Sequence, residues 1–261
     1  MLYSRLIKLM RESGFSILEV SDWKTFDYEE RECGTAKIEK SKYKRGLYLM
    51  EGVAGYDFFY VKKPIVITFL KVNGKEVMVD DPLHYYGMKL LAEASEGKVL
   101  TAGLGLGLYT VFLQSNPKVE SVTVVELNGD VKQLVEPMIQ KYIKKPTQII
   151  VDDIMNWRKR AKNFNTIMLD IWVTSKPEPN VFREMLRMFS MFKVENPNAN
   201  VYVWGIRESS INPAVKRLNP NYLEFLKINS PPNHLEKVVG KGGMRMRLGL
   251  PPTISHFGGE T

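Results

Sequence analysis

From residue 98 onward the apolar residues alternate between two patterns. Short unbroken runs, seen in KVLTA, VTVV, QIIV, FNTIML and NVYVWGI (200–206), read as strands buried on both faces, as inside a parallel sheet. Between them apolar positions recur every three or four residues, which predicts helices over 131–143 and 181–193 and a short one holding Trp157 and Arg158. The alternation predicts a doubly wound, mostly parallel α/β sheet with a ligand across the carboxyl ends of its strands. Upstream the pattern changes. PIVITFLKV, then Asn73-Gly74, then KEVMVDD reads as a β-hairpin with a two-residue turn, and residues 46–60 suggest one or two further strands. The aromatic group Tyr56, Phe58, Phe59 and Tyr60 reads as the core of this β region, with stacking on a substrate as the alternative. Asp80-Asp81-Pro82 breaks the last strand, and 83–96 follows as a helix. The expected division is a β-rich region over 1–81 and a sheet domain over 82–261 that ends in a basic tail.

The segment KVLTAGLGLGLYTVFLQSNPKVESVTVVELNGD is one βαβ unit with a ligand site at its first turn. Gly103, Gly105 and Gly107 allow a tight turn and close approach to a ligand, because a Cβ there clashes or forbids the required φ. Glu126, at the end of the second strand, projects toward the same crevice and can accept hydrogen bonds from both hydroxyls of a ribose. Other strand ends repeat the device. Asp153 follows QIIV, where it can accept from an adenine amino group, and Asp170 follows FNTIML; helix capping is the alternative for Asp152 and Asp153. Asp170 and Trp172 lie where the group being modified should sit. The junction before the glycine unit offers Asp80, His84 and Tyr85 as contacts to cofactor or acceptor, and the alternative there is again capping and packing.

Composition narrows the class. The 261 residues, 44% hydrophobic, suffice for one large α/β domain with a small appendage. No apolar run is long enough to span a bilayer, and the amphipathic basic start lacks the apolar core and cleavage site of a secretory signal. The single cysteine, Cys33, leaves no internal disulfide and no cysteine-based zinc site, which suits a reducing cytoplasm. His234 and His256 have no partners at ligand spacing, so no metal is expected. A formal charge of +8 permits a polyanionic partner, but the basic residues are spread out apart from clusters at 37–45 and 241–247. A small-molecule acceptor is expected ahead of nucleic acid; a homodimer is left open.

The glycine turn reads G-x-G-x-G, with Leu108 where a dinucleotide fingerprint has its third glycine. In this it resembles the class I S-adenosylmethionine-dependent transferases. The succession VLTAGLGLG, VTVVELN, VDDIMNW and IMLDIW, together with the upstream β region and DDPLHYYGMKLL, is similar to the spermidine-synthase-like branch of that superfamily. The resemblance implies a Rossmann-like methyltransferase fold with S-adenosylmethionine as cofactor. It places Gly103, Gly105 and Gly107 along the methionine end, Glu126 at the ribose, Asp153 with Ile154 at the adenine, and Asp170 beside the transferred group. Two departures bear on the reaction. Spermidine synthases carry a second acid three residues after the strand-end aspartate, where this chain has Val173, and of their Tyr-His-Glu trio only Tyr85 matches, Tyr86 and Gly87 replacing the rest.

The expected function is therefore an S-adenosylmethionine-dependent methyltransferase of unidentified acceptor, with Asp170 orienting or deprotonating the acceptor and Trp172 shaping its pocket. One alternative is a polyamine aminopropyltransferase using decarboxylated S-adenosylmethionine. A second is a nonenzymatic cofactor- or RNA-binding module on the same fold.

Overall fold

The computed structural model describes residues 2–50, 53–172 and 179–204. The chain opens with helix α1 (Leu2–Glu12), followed by seven strands: β1 (Ile17–Val20), β2 (Arg31–Cys33), β3 (Ala36–Tyr43), β4 (Gly46–Leu49), β5 (Phe58–Val61), β6 (Ile65–Val72) and β7 (Lys75–Val79). The opening basic segment is thus a helix ahead of the β region, with Ile7 buried beside Ile17 and Tyr60. The seven strands form two sheets, β1-β5-β4 and the antiparallel β2-β3-β6-β7. The expected hairpin is β6 and β7, turned by Asn73 and Gly74 at φ of 51° and 74°. Phe59 stacks on Tyr48 at 5.0 Å and on Tyr43 at 6.2 Å inside this region, so the aromatic group is core there.

Helix α2 (Pro82–Ala94) begins with proline just inside an aspartate cap, a favourable start because proline lacks an N–H that the first turn could not bond anyway. Then β8 (Gly97–Ala102), α3 (Leu108–Leu113), β9 (Val119–Glu126), α4 (Gly129–Ile139), β10 (Thr147–Val151), α5 (Ile154–Trp157), β11 (Thr166–Leu169), α6 (Pro179–Glu195) and β12 (Asn200–Val203) alternate. The five strands pair in parallel in the order β10-β9-β8-β11-β12, a doubly wound Rossmann-like sheet. Val99, Leu100 and Ala102 of β8 and Ile167, Met168 and Leu169 of β11 are fully buried, as central strands covered on both faces must be. Helix α3 is shorter than an amphipathic crossover and is buried along most of its length, so its apolar residues carry no single-sided pattern. Residues 205 and 206 of the expected fifth strand, the basic tail, Val173, His234 and His256 lie outside the described residues.

The antiparallel sheet and the parallel sheet are not separately cored. Tyr28, Ala36, Ile38 and Leu70 belong to the same buried cluster as Val99 and Leu100. A second cluster, around Met50, Phe59 and Ile67, lies within the N-terminal sheets. No helix among the described residues is long and apolar enough to cross a membrane.

Candidate functional site

The strand order reverses beside β8: the chain steps outward to β9 and β10, then returns to lay β11 on the other side of β8. Open α/β sheets hold ligands at such a point, because the loops leaving the two adjacent strands diverge and leave a crevice. Here the loops are the glycine turn after β8 and the segment beginning at Asp170 after β11. Gly103, Gly105 and Gly107 have φ of 91°, 53° and 77°, in the left-handed region that glycine enters without penalty. Two of the three are also required by the protein itself. A Cβ on Gly103 would lie 2.2 Å from the carbonyl oxygen of Asp170, and one on Gly107 would meet two carbons of Ile139 in α4 at 2.9 Å. Gly105 faces a side chain, Met78 of β7, whose Cγ would be 3.3 Å from an added Cβ.

Glu126 ends β9 beside this turn. Its Oε2 accepts from the backbone N–H of Leu104 at 2.7 Å and its Oε1 from that of Asn128 at 2.9 Å. The carboxylate is thereby fixed over the glycine turn, and each oxygen keeps a second lone pair for a ligand hydroxyl. Asp153 caps α5, its Oδ1 accepting from Met155 N at 2.8 Å, and its exposed carboxylate stands at the end of β10 next to buried Ile154. Asp152 is occupied: its oxygens accept from the Asn156 amide, the Asp153 backbone and the Trp157 indole, which hold its carboxyl below the usual range.

Asp170 follows β11, its N–H bonded to Ala102 O at 3.0 Å. With Gly103, Gly105, Thr101, Tyr109 and three methionines, Met78, Met88 and Met168, it lines a cavity of about 10 Å³. Burial pushes its carboxyl up to about 7; His84 opposes the rise and Glu126 adds to it. Trp172 packs half-buried against the core two residues on.

Helix α2 lies close by: Met88 lines the same cavity, and His84 at its start is near enough to Asp170 for their charges to interact. Asp81, 3% exposed, caps the helix and bonds His84, whose Nδ1 lies 2.8 Å from its Oδ1. Burial favours the neutral imidazole, but Asp81, Asp170 and Asp80 outweigh it and raise the proton affinity of His84. Asp80 itself does not open on the crevice. It is 2% exposed, accepts from Thr25 Oγ1 and, at 2.6 Å, from Thr68 N, and burial raises its carboxyl above the usual range against those bonds. Tyr85 is also engaged elsewhere, its ring 5.3 Å from Trp23 and 4.9 Å from Phe112 of α3.

Of the residues singled out from the sequence, the structure gathers the glycines, Glu126 and Asp170 at one crevice, sets His84 within electrostatic reach of Asp170, and leaves Asp80 and Tyr85 as packing and tethering groups. It adds three that the sequence reading passed over. Trp204 follows β12 and lies with its ring 5.7 Å from that of His84; its position closing NVYVW obeyed the strand-end rule that found Asp170. Asp81 carried the sequence signal of a cap before proline. Met78 carried none, since nothing in a hairpin strand marks the loop it will touch.

No family model and no curated sequence matches the chain. Solved structures do. Spermidine synthase from Thermotoga maritima matches with a TM-score of 0.40 and 14% identity over 67% of this chain, which spans 60% of that protein's length. SMU.776 in complex with SAH matches at 0.40 and 12% over 59% of this chain and 46% of its own. Shikimate dehydrogenase of Mycobacterium tuberculosis matches at 0.37 and 11%, covering 60% and 57% of the two chains. Such distant likenesses concern the path of the chain alone, and the strand order and the glycine turn carry the argument for the site.

Proposed function

We propose that the chain is an S-adenosylmethionine-dependent transferase, and a methyltransferase in preference to an aminopropyltransferase, acting on a small-molecule acceptor. The observation that supports this most is the joining of three strand ends. Glu126 is bonded to the glycine turn at Leu104, and that turn packs on Asp170 through Gly103. The donor set suits an adenosyl group: a carboxylate with spare lone pairs for the ribose, a turn without Cβ atoms under the amino acid end, and Asp153 with Ile154 toward the adenine. The cavity is narrow, so a nucleoside seats there only with Met78 displaced from Gly105, a movement that an unbranched methionine side chain permits.

The bound sulfonium would supply a good leaving group, which leaves the protein to position the acceptor, exclude water and handle one proton. Asp170 and His84 are the titrating groups on that side. A diamine substrate would be held by charged carboxylates. Here the one acid among the described residues lining the cavity tends toward its neutral form near pH 7, and Val173 stands where spermidine synthases have a second. This favours methyl transfer.

Calorimetric titration with S-adenosylmethionine, S-adenosylhomocysteine and decarboxylated S-adenosylmethionine tests the reading, repeated on Glu126→Ala. The first two should bind, and the variant should weaken them about tenfold or more, the loss of a charge-assisted pair of hydrogen bonds. Preference for the decarboxylated compound would turn the assignment to aminopropyl transfer. Binding of none of the three would remove the cofactor assignment.

A further inference from the structure

The start of α2 holds a hydrogen-bonded pair whose geometry goes beyond helix capping. Asp81 Oδ1 accepts from the backbone N–H of His84 at 3.0 Å and lies 2.8 Å from its Nδ1, while Oδ2 accepts from the Tyr43 hydroxyl at 3.1 Å. Three contacts on a carboxylate that is 3% exposed leave it little freedom, and its low-dielectric surroundings strengthen each bond. A carboxylate only accepts, so Nδ1 carries the hydrogen, and in the neutral ring Nε2 is left with a lone pair. Among the described residues Nε2 has no hydrogen-bond partner. The ring is braced by Trp204, and the helix makes room for that indole with Gly87, where a Cβ would come within 2.5 Å of it.

We propose that the Asp81–His84 pair is the proton acceptor on the acceptor side of the crevice. It follows that the substrate is a nucleophile that must lose a proton, an amine nitrogen or a hydroxyl oxygen, rather than a thioether or a ring nitrogen with none to lose. This rests on the transferase reading above. In the balanced step the acceptor's X–H bond breaks toward Nε2 and the pair on X forms the bond to the transferred carbon. The pair of the broken carbon–sulfur bond leaves on the neutral thioether. His84 becomes an imidazolium, which Asp81 stabilises through Nδ1–H; Asp170 and Asp80 add to this only in the fraction that is ionised, and these three are the acids that raise its proton affinity. Asp170 then orients the acceptor, a role compatible with a carboxyl near neutrality.

A positive sulfonium close to Nε2 should make the imidazolium harder to form, and that can be read without knowing the acceptor. The experiment is an NMR titration of the histidine rings in the full chain saturated with S-adenosylmethionine or with uncharged S-adenosylhomocysteine. The chain has only three histidines, and His84→Gln assigns the signal. The His84 ring should be the Nδ1–H tautomer, and its pKa should be lower in the sulfonium complex by about half a unit or more, the size of a unit charge within a partly solvated site. Asp81→Asn should lower it further in both complexes. Because that variant also alters a helix cap, Asp170→Asn provides a second one that keeps the cap, and it too should lower the His84 pKa. Both ligands bound with the same His84 pKa, or an Nε2–H tautomer, would overturn the proposal and leave the cofactor reading standing. Failure of both ligands to bind would overturn the two together.

Discussion

Asp170 combines a cost in stability with a use in chemistry. Its carboxyl is moved from an ordinary 3.8 to about 7, chiefly by burial. Between those values the folded chain keeps a proton that the unfolded chain has given up, so raising the pH through this window favours unfolding. Asp170→Asn should therefore be about 4 kcal/mol more stable than the parent at pH 8, with the difference closing toward pH 4, as urea unfolding at the two pH values would show. Equal stability of the two chains at both pH values would mean that the group is solvated. His84 behaves in the other sense as a base: its raised proton affinity contributes stability below its unfolded value of 6.5, lost as the pH rises through the folded one. The acid at 170 was visible in the sequence because it ends an apolar run. Its neutral tendency was not, since that depends on which walls close around it.

At the level of elements, the turn between β8 and α3 is the most constrained part of the site. Gly103 has a left-handed φ and sits against the backbone of the next loop, so relief by a side-chain movement is unavailable. Gly103→Ala should cost about 2–4 kcal/mol and abolish binding of S-adenosylhomocysteine, measured by thermal unfolding and calorimetry. A stable Gly103→Ala that still binds would show that the two loops do not need this approach. The glycines were legible as a turn, because their spacing after a strand has few other uses. What each one avoids was not. A ligand was the expected neighbour, whereas Asp170 O and Ile139 occupy the space beside Gly103 and Gly107. Helix α3 shows the same gap between pattern and outcome: an element buried on nearly all sides leaves no periodic trace, so its limits came only from the packing around it.

Across the whole molecule, the N-terminal strands and the parallel sheet are joined in three places. The Tyr28 hydroxyl donates to Leu106 O in the glycine turn at 2.6 Å, Thr35 bonds Asp130 at the start of α4, and Ile38 and Leu70 enter the core of the parallel sheet. The expected division at residue 81 therefore runs through a shared core. A fragment of residues 82–261 should expose that apolar surface and fail to give a cooperative unfolding transition, while the full chain gives one; circular dichroism and size-exclusion chromatography distinguish the cases. A cooperative, monodisperse fragment would establish two independent units.

The five parallel strands, the hairpin, the glycine turn and the acids at the strand ends follow from the local pattern of residues. All of these are local: burial on both faces requires an unbroken apolar run, a positive φ requires glycine, and a polar residue closing such a run must lie at a strand end. The pairings between distant residues came with the fold. Gly103 meets Asp170 because the reversal of strand order beside β8 sets the loops after β8 and β11 side by side, while Met78 reaches Gly105 and His84 lies between Asp81 and Trp204 because β7 and α2 pack against the parallel sheet. Residues so far apart along the chain carry no mark of one another, so their contacts, and the proton chemistry that depends on them, arise with the fold.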